Sequence, residues 1–186
     1  MASTDQFSIV RAADRMEITH RIHQFCRAVD RLDLDALHEV FHPDAHDDHG
    51  VFKGSPDGFI DWVRGRHQTI AYSSHHMTNV YIEFVNDDEA FAETYFFNWQ
   101  SVTPAANIMV GGSDDDSDYE QIANGRYVDR FTRREGQWKI QERTVVPGAF
   151  MRVPEGPAMA VPEGFVKYSR DDKDFAQQLR TQMGIR

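Results

Sequence analysis

Cysteine is almost absent from the sequence, since Cys26 is the only one among 186 residues. A single thiol cannot form an internal disulfide, and a thiolate-ligated zinc site needs at least two cysteines. The N-terminal residues also lack the apolar stretch of a signal peptide. We therefore expect a reduced, cytoplasmic setting and no zinc site of the thiolate type.

Basic residues and long apolar runs are scarce as well. Lys and Arg number 20 against 30 Asp and Glu, which gives a formal net charge of −10. Nucleic-acid-binding surfaces depend on clustered positive charge, and the sequence contains no basic stripe, so no nucleic-acid partner is expected. No apolar segment approaches the roughly 20 residues of a membrane-spanning helix, so no membrane partner is expected. The hydrophobic content of 40% is typical of a globular domain with a substantial core.

The apolar residues change their period along the chain, which predicts helices first and strands afterwards. Helical spacing predicts a helix over residues 12–30, and Asp33 and Ser55 are expected to cap two further helices. Alternating patterns then predict strands over residues 78–84, 90–102, 119–133 and 137–146. This segregation favours an α+β fold, with a curved antiparallel sheet that carries three N-terminal helices on one face.

The last 40 residues differ from the rest, because prolines interrupt them before a short helix that Asp171 or Asp172 is expected to cap. We divide the chain into an α+β domain, residues 1–146, and a C-terminal extension, residues 147–186. The extension is expected to act as a lid or as an oligomer contact. An open curved sheet exposes edges and an apolar outer face, so a homodimer or homotrimer is expected.

Three ionisable residues interrupt otherwise apolar patterns, and such groups often mark functional sites. Asp30 ends the first helical stripe, His75 begins the first long strand, and Arg143 lies near the end of the last strand. A carboxylate can hold an imidazole in one tautomer and make it a general base, while arginine can stabilise developing negative charge. The structural alternative is that these residues are a helix cap, a surface histidine and a salt-bridge partner.

Strand register decides two of these assignments. A shift by one residue would exchange His75 for His76 on the inner face. In a regular strand, Arg143 would also face the opposite side from Trp138 and Ile140, unless a bulge or strong twist intervenes.

A second polar cluster follows Phe41 and consists of three histidines and two aspartates: His42, His46, Asp47, Asp48 and His49. Two histidines and one carboxylate are the ligands of many non-haem iron sites, but this segment is predicted to be a loop and therefore a poor frame for a metal. We expect no metal and no cofactor. His49 or Asp47 is expected at the mouth of a pocket, and His42 and His46 are expected to face solvent.

Aromatic residues are concentrated on the second predicted strand, where Tyr95 and Trp99 share a face with Phe91 and Phe97. Such a face would suit a flat aryl substrate, with Tyr95 donating a hydrogen bond to a substrate oxygen. For any one of these aromatics, the alternative is an ordinary core position. The predicted substrate-binding residues are His49, Trp99, Tyr72, Tyr127 and Asn98.

Four segments carry a resemblance to a known family: RAVDRLDLDALHEVFHPDA at residues 27–45, SSHHMTNVYIEF at 73–84, ETYFFNW at 93–99 and GRYVDRFTRREGQWKIQER at 125–143. Their order and spacing resemble the SnoaL-like branch of the nuclear-transport-factor-like superfamily over residues 12–146. The resemblance implies a cone-shaped, cystatin-like fold that encloses a pocket. Within the superfamily, the chain is similar to hexachlorocyclohexane dehydrochlorinases, scytalone dehydratases and diarylpropane formaldehyde-lyases.

The resemblance implies that Asp30 and His75 form a catalytic dyad with Arg143 as a cationic helper. It also implies a cofactor-independent lyase that eliminates water, formaldehyde or halide from a hydrophobic, lignin-type aromatic molecule. Tyr95 is included in the predicted catalytic set because of its position on the aromatic strand. Two alternatives stay open: a ketosteroid-isomerase-like or polyketide-cyclase-like enzyme, and a non-catalytic small subunit of an aromatic-ring dioxygenase.

Overall fold

The computed structural model describes residues 6–112, 117–153 and 162–185. The helices are α1 (Ile9–Arg31), α2 (Leu34–Glu39), α3 (Pro56–His67), α4 (Pro104–Ile108) and α5 (Phe175–Gln182). The strands are β1 (Phe41–Asp48), β2 (Lys53–Gly54), β3 (Ser73–Phe84), β4 (Glu89–Val102), β5 (Tyr119–Arg134) and β6 (Gln137–Arg152). None of these helices, within the described ranges, is long and apolar enough to cross a membrane.

The six strands form one sheet in the order β2-β1-β6-β5-β4-β3. Neighbouring strands are antiparallel except for β1, which pairs in parallel with β6. Helices lie on one face of the sheet, so the predicted α+β architecture is confirmed. The parallel pair was not predicted, because the segment that forms β1 reads as a polar loop.

The helices begin where the sequence places capping side chains. The Ser8 hydroxyl accepts a hydrogen bond from the backbone N–H of Arg11, so α1 starts three residues earlier than predicted. Asp33 and Ser55 cap α2 and α3 as predicted, and each satisfies one backbone N–H of the first turn. The left-handed conformation of Leu32, with φ of 53°, ends α1 just after the residue pair Asp30 and Arg31.

The core lies between α1, α2, α3 and the concave face of the sheet. The apolar stripe of α1 supplies Ile18, Ile22, Phe25 and Val29, all at most 4% exposed. The sheet supplies a second set: Ala92, Phe96, Tyr127, Phe131, Trp138 and Ile140. Burying each large side chain contributes about 1.5–3 kcal/mol, so this interface holds the helices against the sheet.

A bulge in β6 resolves the register question for Arg143. Opposite the consecutive residues Arg130 and Phe131 of β5 stand Glu142 and Ile140, so Gln141 is the extra residue. The insertion reverses the alternation within β6. Arg143 therefore points to the same inner face as Ile140.

The chain after residue 146 continues the fold. The predicted domain boundary between residues 146 and 147 lies inside β6, which pairs with β5 as far as Arg152. A register shift at Gly148 accompanies Pro147, which lacks the N–H that a regular ladder would use. The final helix is capped by Asp174 and not by Asp171 or Asp172 as predicted.

Candidate active site

A cavity of about 510 Å³ opens between the concave face of the sheet and the helices α1 and α3. This volume lies within the range of small-molecule binding sites. Most of its wall is apolar and includes Phe25, Val29, Phe59, Trp62, Val63, Phe96 and Tyr127. Five of these seven residues are aromatic. Polar residues line it at a few points: His49, Arg66, His67, His75, Asn98, Gln100, Asn107 and Gln121.

His75 lines this cavity and forms a hydrogen-bonded pair with Asp30, which is not itself part of the cavity wall. The imidazole Nδ1 of His75 lies 2.6 Å from Asp30 Oδ1, and the backbone N–H of His75 donates to Oδ2 at 2.8 Å. The Ser73 hydroxyl donates to Oδ1 at 2.8 Å. With Nδ1 held by the carboxylate, Nε2 is the ring nitrogen that remains available to accept a proton.

The environment keeps Asp30 ionised. Burial is the largest influence on its pKa and acts to raise it. The charge of His75 and the hydrogen bonds from His75 and Ser73 together outweigh burial, so the pKa of Asp30 lies below its ordinary value. An ionised Asp30 can stabilise the imidazolium that forms when His75 takes up a proton.

The C-terminal extension holds the end of α1 that carries Asp30. The Arg170 guanidinium donates to the carbonyl oxygens of Asp30 and Val29, each at 2.8 Å, and of Ile70 at 2.7 Å. The Tyr168 hydroxyl donates to the Ser73 carbonyl at 2.8 Å. Sequence reasoning missed both residues, because they lie in a segment without regular periodicity and act on the backbone, which no side-chain pattern reveals.

A second Asp–His pair lies on the same cavity. His49 Nδ1 is hydrogen-bonded to Oδ1 of Asp47, whose side chain is fully buried. The His49 ring stacks on Phe59 with a centroid distance of 4.6 Å. His49 thus lies at the cavity as predicted, and Asp47 lies behind it within the sheet.

Arg143 is buried behind the cavity and does not line it. Its guanidinium forms two hydrogen bonds of 2.7 Å with Asp129 and lies between the rings of Phe25 and Tyr127, at 4.1 and 4.3 Å from their centroids. Burial disfavours the charge, but Asp129 outweighs burial and holds the pKa of Arg143 above its ordinary value. The predicted direct contact of Arg143 with a leaving group does not fit this placement, because the sheet and two rings cover the cation.

The aromatic face of β4 points away from the cavity. Ala90, Ala92, Thr94 and Phe96 face the core, so the residues between them face outward. Tyr95 and Trp99 are accordingly 44% and 41% exposed on the convex side. The prediction that they contact substrate does not fit this geometry, since the alternation of the strand assigns the other set to the cone interior.

The remaining predicted residues divide between the cavity and the surface. Asn98 and Tyr127 line the cavity as predicted. Tyr72 instead packs on Tyr168 with a centroid distance of 4.9 Å and is not part of the cavity wall. His76 is exposed and contacts Ser74, which settles the register in favour of His75.

The His/Asp segment forms a strand instead of a loop, and its side chains separate. His42 is buried, with Nε2 at 2.9 Å from the Thr132 carbonyl, so the prediction that it faces solvent is wrong. His46 is exposed as predicted. Over the ranges that the structure describes, no group of three or more His, Cys, Asp or Glu could hold a metal ion.

Sequence reasoning also missed Arg66 and His67, which close the α3 side of the cavity. Arg66 lies three residues after Val63 on the buried face of α3. The helical spacing could have identified Arg66, because a charged residue that continues an apolar helical stripe is expected to face the core.

The comparisons with known proteins agree with the observed fold. The family model of the SnoaL-like domain matches residues 10–144. The hexachlorocyclohexane dehydrochlorinase LinA-type3 from Novosphingobium barchaimii LL02 shares 20% identity and a TM-score of 0.67, covering 83% of this chain and 98% of that one. A protein provisionally named scytalone dehydratase, from Novosphingobium aromaticivorans DSM 12444, shares 18% identity and a TM-score of 0.63, covering 85% and 98%.

A protein of unknown function with a cystatin-like fold, from Nostoc punctiforme PCC 73102, shares 18% identity and a TM-score of 0.57, covering 80% of this chain and 97% of that one. No curated protein sequence matches the chain significantly. At these identities the solved structures show a shared fold, and the family match extends over most of the chain. The chain therefore belongs to the SnoaL-like domain family.

Proposed function

We propose that the protein is a cofactor-independent lyase that eliminates a small group from an aromatic small molecule. The observation that carries the proposal is the Asp30–His75 pair, whose histidine lines an apolar cavity. His75 Nε2 takes a proton from the substrate, and the electron pair of the broken bond forms a new double bond. In a dehydration or dehydrohalogenation the proton comes from carbon, a C=C bond forms, and the C–O or C–halogen bond breaks with loss of water, after protonation of the oxygen, or of halide. In a loss of formaldehyde the proton comes from a hydroxymethyl O–H, the new double bond is the C=O of formaldehyde, and the electron pair of the broken C–C bond takes up a proton.

The two partners of His75 have separate tasks in this mechanism. Asp30 holds the ring so that Nε2 accepts the proton, and it stabilises the imidazolium that results. His49 is placed to donate a proton to a departing oxygen, because it lies on the same cavity with its own carboxylate, Asp47, behind it. After a dehydration, His75 carries the proton taken from the substrate and His49 has given its proton to the departing water, and proton exchange with solvent returns both to their starting forms.

The shape and composition of the cavity support an aryl substrate. Phe25, Phe59, Trp62, Phe96 and Tyr127 surround a volume that is large enough for a substituted aromatic ring. Two of the similar structures are named for a dehydrochlorinase and for a dehydratase, and both names denote elimination reactions. These names support the reaction class, and the aromatic wall supports the substrate class.

The test compares His75→Ala with His76→Ala. The two histidines are adjacent in β3, but only His75 faces the cavity, so His76→Ala is a matched control. Metal-free protein is incubated with a panel of hydroxylated aryl compounds, and products are identified by mass spectrometry. We expect a product lighter by water or formaldehyde with wild type and His76→Ala, and a loss of at least 10²-fold in rate with His75→Ala.

Two outcomes would overturn the proposal. Full turnover by His75→Ala would exclude this residue as the base. A product of unchanged mass would instead identify an isomerase that uses the same pair, because proton transfer without elimination conserves mass.

A further inference from the structure

Arg66 is a buried cation on the cavity wall without a carboxylate beside it. The residue is 7% exposed, and its Nε has no hydrogen-bond partner. Its polar contacts among the described residues are Gln100 Oε1, at 3.2 Å from Nη2, and His67 Nε2, at 3.1 Å from Nη1. Buried charges in proteins are normally paired, so an unpaired one at a cavity indicates a missing anion.

Arg66 nevertheless keeps its proton at neutral pH. Burial, opposed by Tyr119 and reinforced by the charge of Arg170, lowers the pKa of Arg66 to about 10. That value is well above 7, so the cavity wall carries a positive charge at this point.

The contacts of His67 show that the part of the cavity wall formed by Arg66 and His67 lacks a hydrogen-bond acceptor. Its Nδ1 lies 3.0 Å from Arg170 Nη2, and its Nε2 lies 3.1 Å from Arg66 Nη1. Burial, together with the charges of Arg66 and Arg170, lowers the pKa of His67 well below its ordinary value, so the ring is neutral. A neutral imidazole has one lone pair and can accept from only one of the two guanidinium groups.

We assign the lone pair to His67 Nδ1, where it accepts a hydrogen bond from Arg170. The other N–H groups of Arg170 all contact backbone carbonyls, so its guanidinium is fixed in place. The His67 proton then lies on Nε2, beside Arg66 Nη1. Two donors at the cavity wall are left with no acceptor between them.

A chain of hydrogen bonds connects Arg66 to the proposed catalytic pair, Asp30 and His75. Arg66 Nη2 donates to Gln100 Oε1, Gln100 Nε2 donates to the Ser73 hydroxyl at 3.2 Å, and that hydroxyl donates to Asp30. A group bound at Arg66 therefore lies in the same cavity as His75, and three hydrogen bonds connect Arg66 to the Asp30 carboxylate.

We propose that Arg66, His67 and Gln100 form a carboxylate-binding subsite, and that the substrate is an aromatic compound with a carboxylate at one end. The substrate class rests on the lyase function proposed above. The carboxylate oxygens accept hydrogen bonds from the Arg66 guanidinium and from His67 Nε2–H, which supplies the acceptor that both donors lack. Anchoring this end of the substrate holds the other end beside His75.

The test measures binding and does not depend on turnover. Cinnamate and cinnamamide have nearly the same shape but differ in charge, and their affinities for the full-length protein are measured by isothermal titration calorimetry. We expect wild type to bind cinnamate at least 10-fold more tightly than cinnamamide. Arg66→Met should abolish this preference while it changes the affinity for cinnamamide by less than 3-fold.

The matched control is Arg64→Met, on the same helix. Arg64 is exposed and paired with Asp61, so its replacement should leave the preference for cinnamate unchanged. Arg66→Lys, which keeps the charge, should retain part of the preference. As a second readout, ¹⁵N NMR of the histidine rings should show cinnamate, but not cinnamamide, shifting the Nε2–H signal of His67.

Three results would overturn the subsite: equal affinity of wild type for the acid and the amide, a preference that persists in Arg66→Met, or no binding of cinnamate at 10 mM. Because no substrate is turned over, this outcome is separate from the lyase test. A preference for cinnamate without any elimination activity would support the subsite and contradict the proposed reaction. Elimination activity without a preference for cinnamate would support the reaction and contradict the subsite.

Discussion

At the scale of single residues, the site depends on how buried charges are paired. Asp30 is ionised because His75 and Ser73 donate to it, and Arg143 is charged because Asp129 lies against it. Arg66 is the exception, with two amide or imidazole contacts in place of a carboxylate. The sequence suggested Arg143 as the cation that contacts the substrate. Arg66 fits that role better, because it lines the cavity and has no carboxylate partner among the described residues, whereas Arg143 is paired with Asp129.

The Arg143–Asp129 pair provides a stability prediction. Asp129→Ala leaves a guanidinium buried without its counter-charge, and breaking such a pair costs about 3–5 kcal/mol of unfolding free energy. Urea denaturation of the variant checks this value. Glu142→Ala, which breaks the exposed Glu142–Arg130 pair on the same two strands, should cost less than about 1 kcal/mol. A similar cost for both variants would show that the buried pair is not a structural support.

At the scale of elements, bulges and glycines decide which side chains enter the cone. The insertion of Gln141 in β6 brings Arg143 inward, and Gly125 of β5 lets the two long strands approach where β6 bends. The periodicity of 137–146 predicts the strand but not the bulge, because the inward position after Gln141 is taken by Arg143, and a charged residue is not recognised as part of an apolar alternation. Likewise, the sequence predicts a loop where β1 lies, because the inward-facing residues of β1 include the polar His42 and Asp47. These two side chains are buried only because other parts of the chain pack against them.

The same substitution at two glycines should have opposite effects. In Gly125→Ala the new Cβ would lie 2.6 Å from the Val146 carbonyl oxygen, a backbone atom, and we expect a loss of at least about 2 kcal/mol. In Gly65→Ala, on the exposed side of α3, the Cβ meets only the flexible end of Met109, and helix propensity should stabilise the fold by up to about 1 kcal/mol. Thermal unfolding of both variants tests the pair, and a stabilised Gly125→Ala would refute the close approach.

At the scale of the whole molecule, the C-terminal extension supports the backbone around the candidate active site. Arg170 and Tyr168 reach the carbonyls of Val29, Asp30 and Ser73 from more than 90 residues away in sequence. These contacts act on the backbone at and beside the candidate pair of Asp30 and His75. The role of the extension as a lid or an oligomer contact stays a prediction. Whether the protein is a homodimer or homotrimer stays a prediction.

Removing this support should loosen the end of α1 without unfolding the domain. In Arg170→Met the carbonyls of Val29 and Asp30 lose their short hydrogen bonds from the guanidinium, so we expect faster amide hydrogen exchange around Leu32 and Asp33 and a drop in elimination rate of about 10–100-fold. Lys167→Met, an exposed change in the same segment, is the control. Unchanged exchange in Arg170→Met would show that the extension merely rests on the surface.

The resemblance to the SnoaL-like family implied the pairing of Asp30 with His75. The sequence by itself determined the four long strands, the caps of α2 and α3 and the α+β class, and it singled out Asp30 and His75 as ionisable residues within apolar patterns. These features depend on local hydrophobic period, on short-range capping and on residues that interrupt an apolar stripe, all of which are written in neighbouring positions. Tertiary structure alone decided that the aromatic face of β4 points outward, that Arg143 is neutralised by Asp129 and that Arg66 is not neutralised. The direction of a strand face and the pairing of a buried charge depend on bulges and on partners tens of residues away, and only the folded chain brings those partners together.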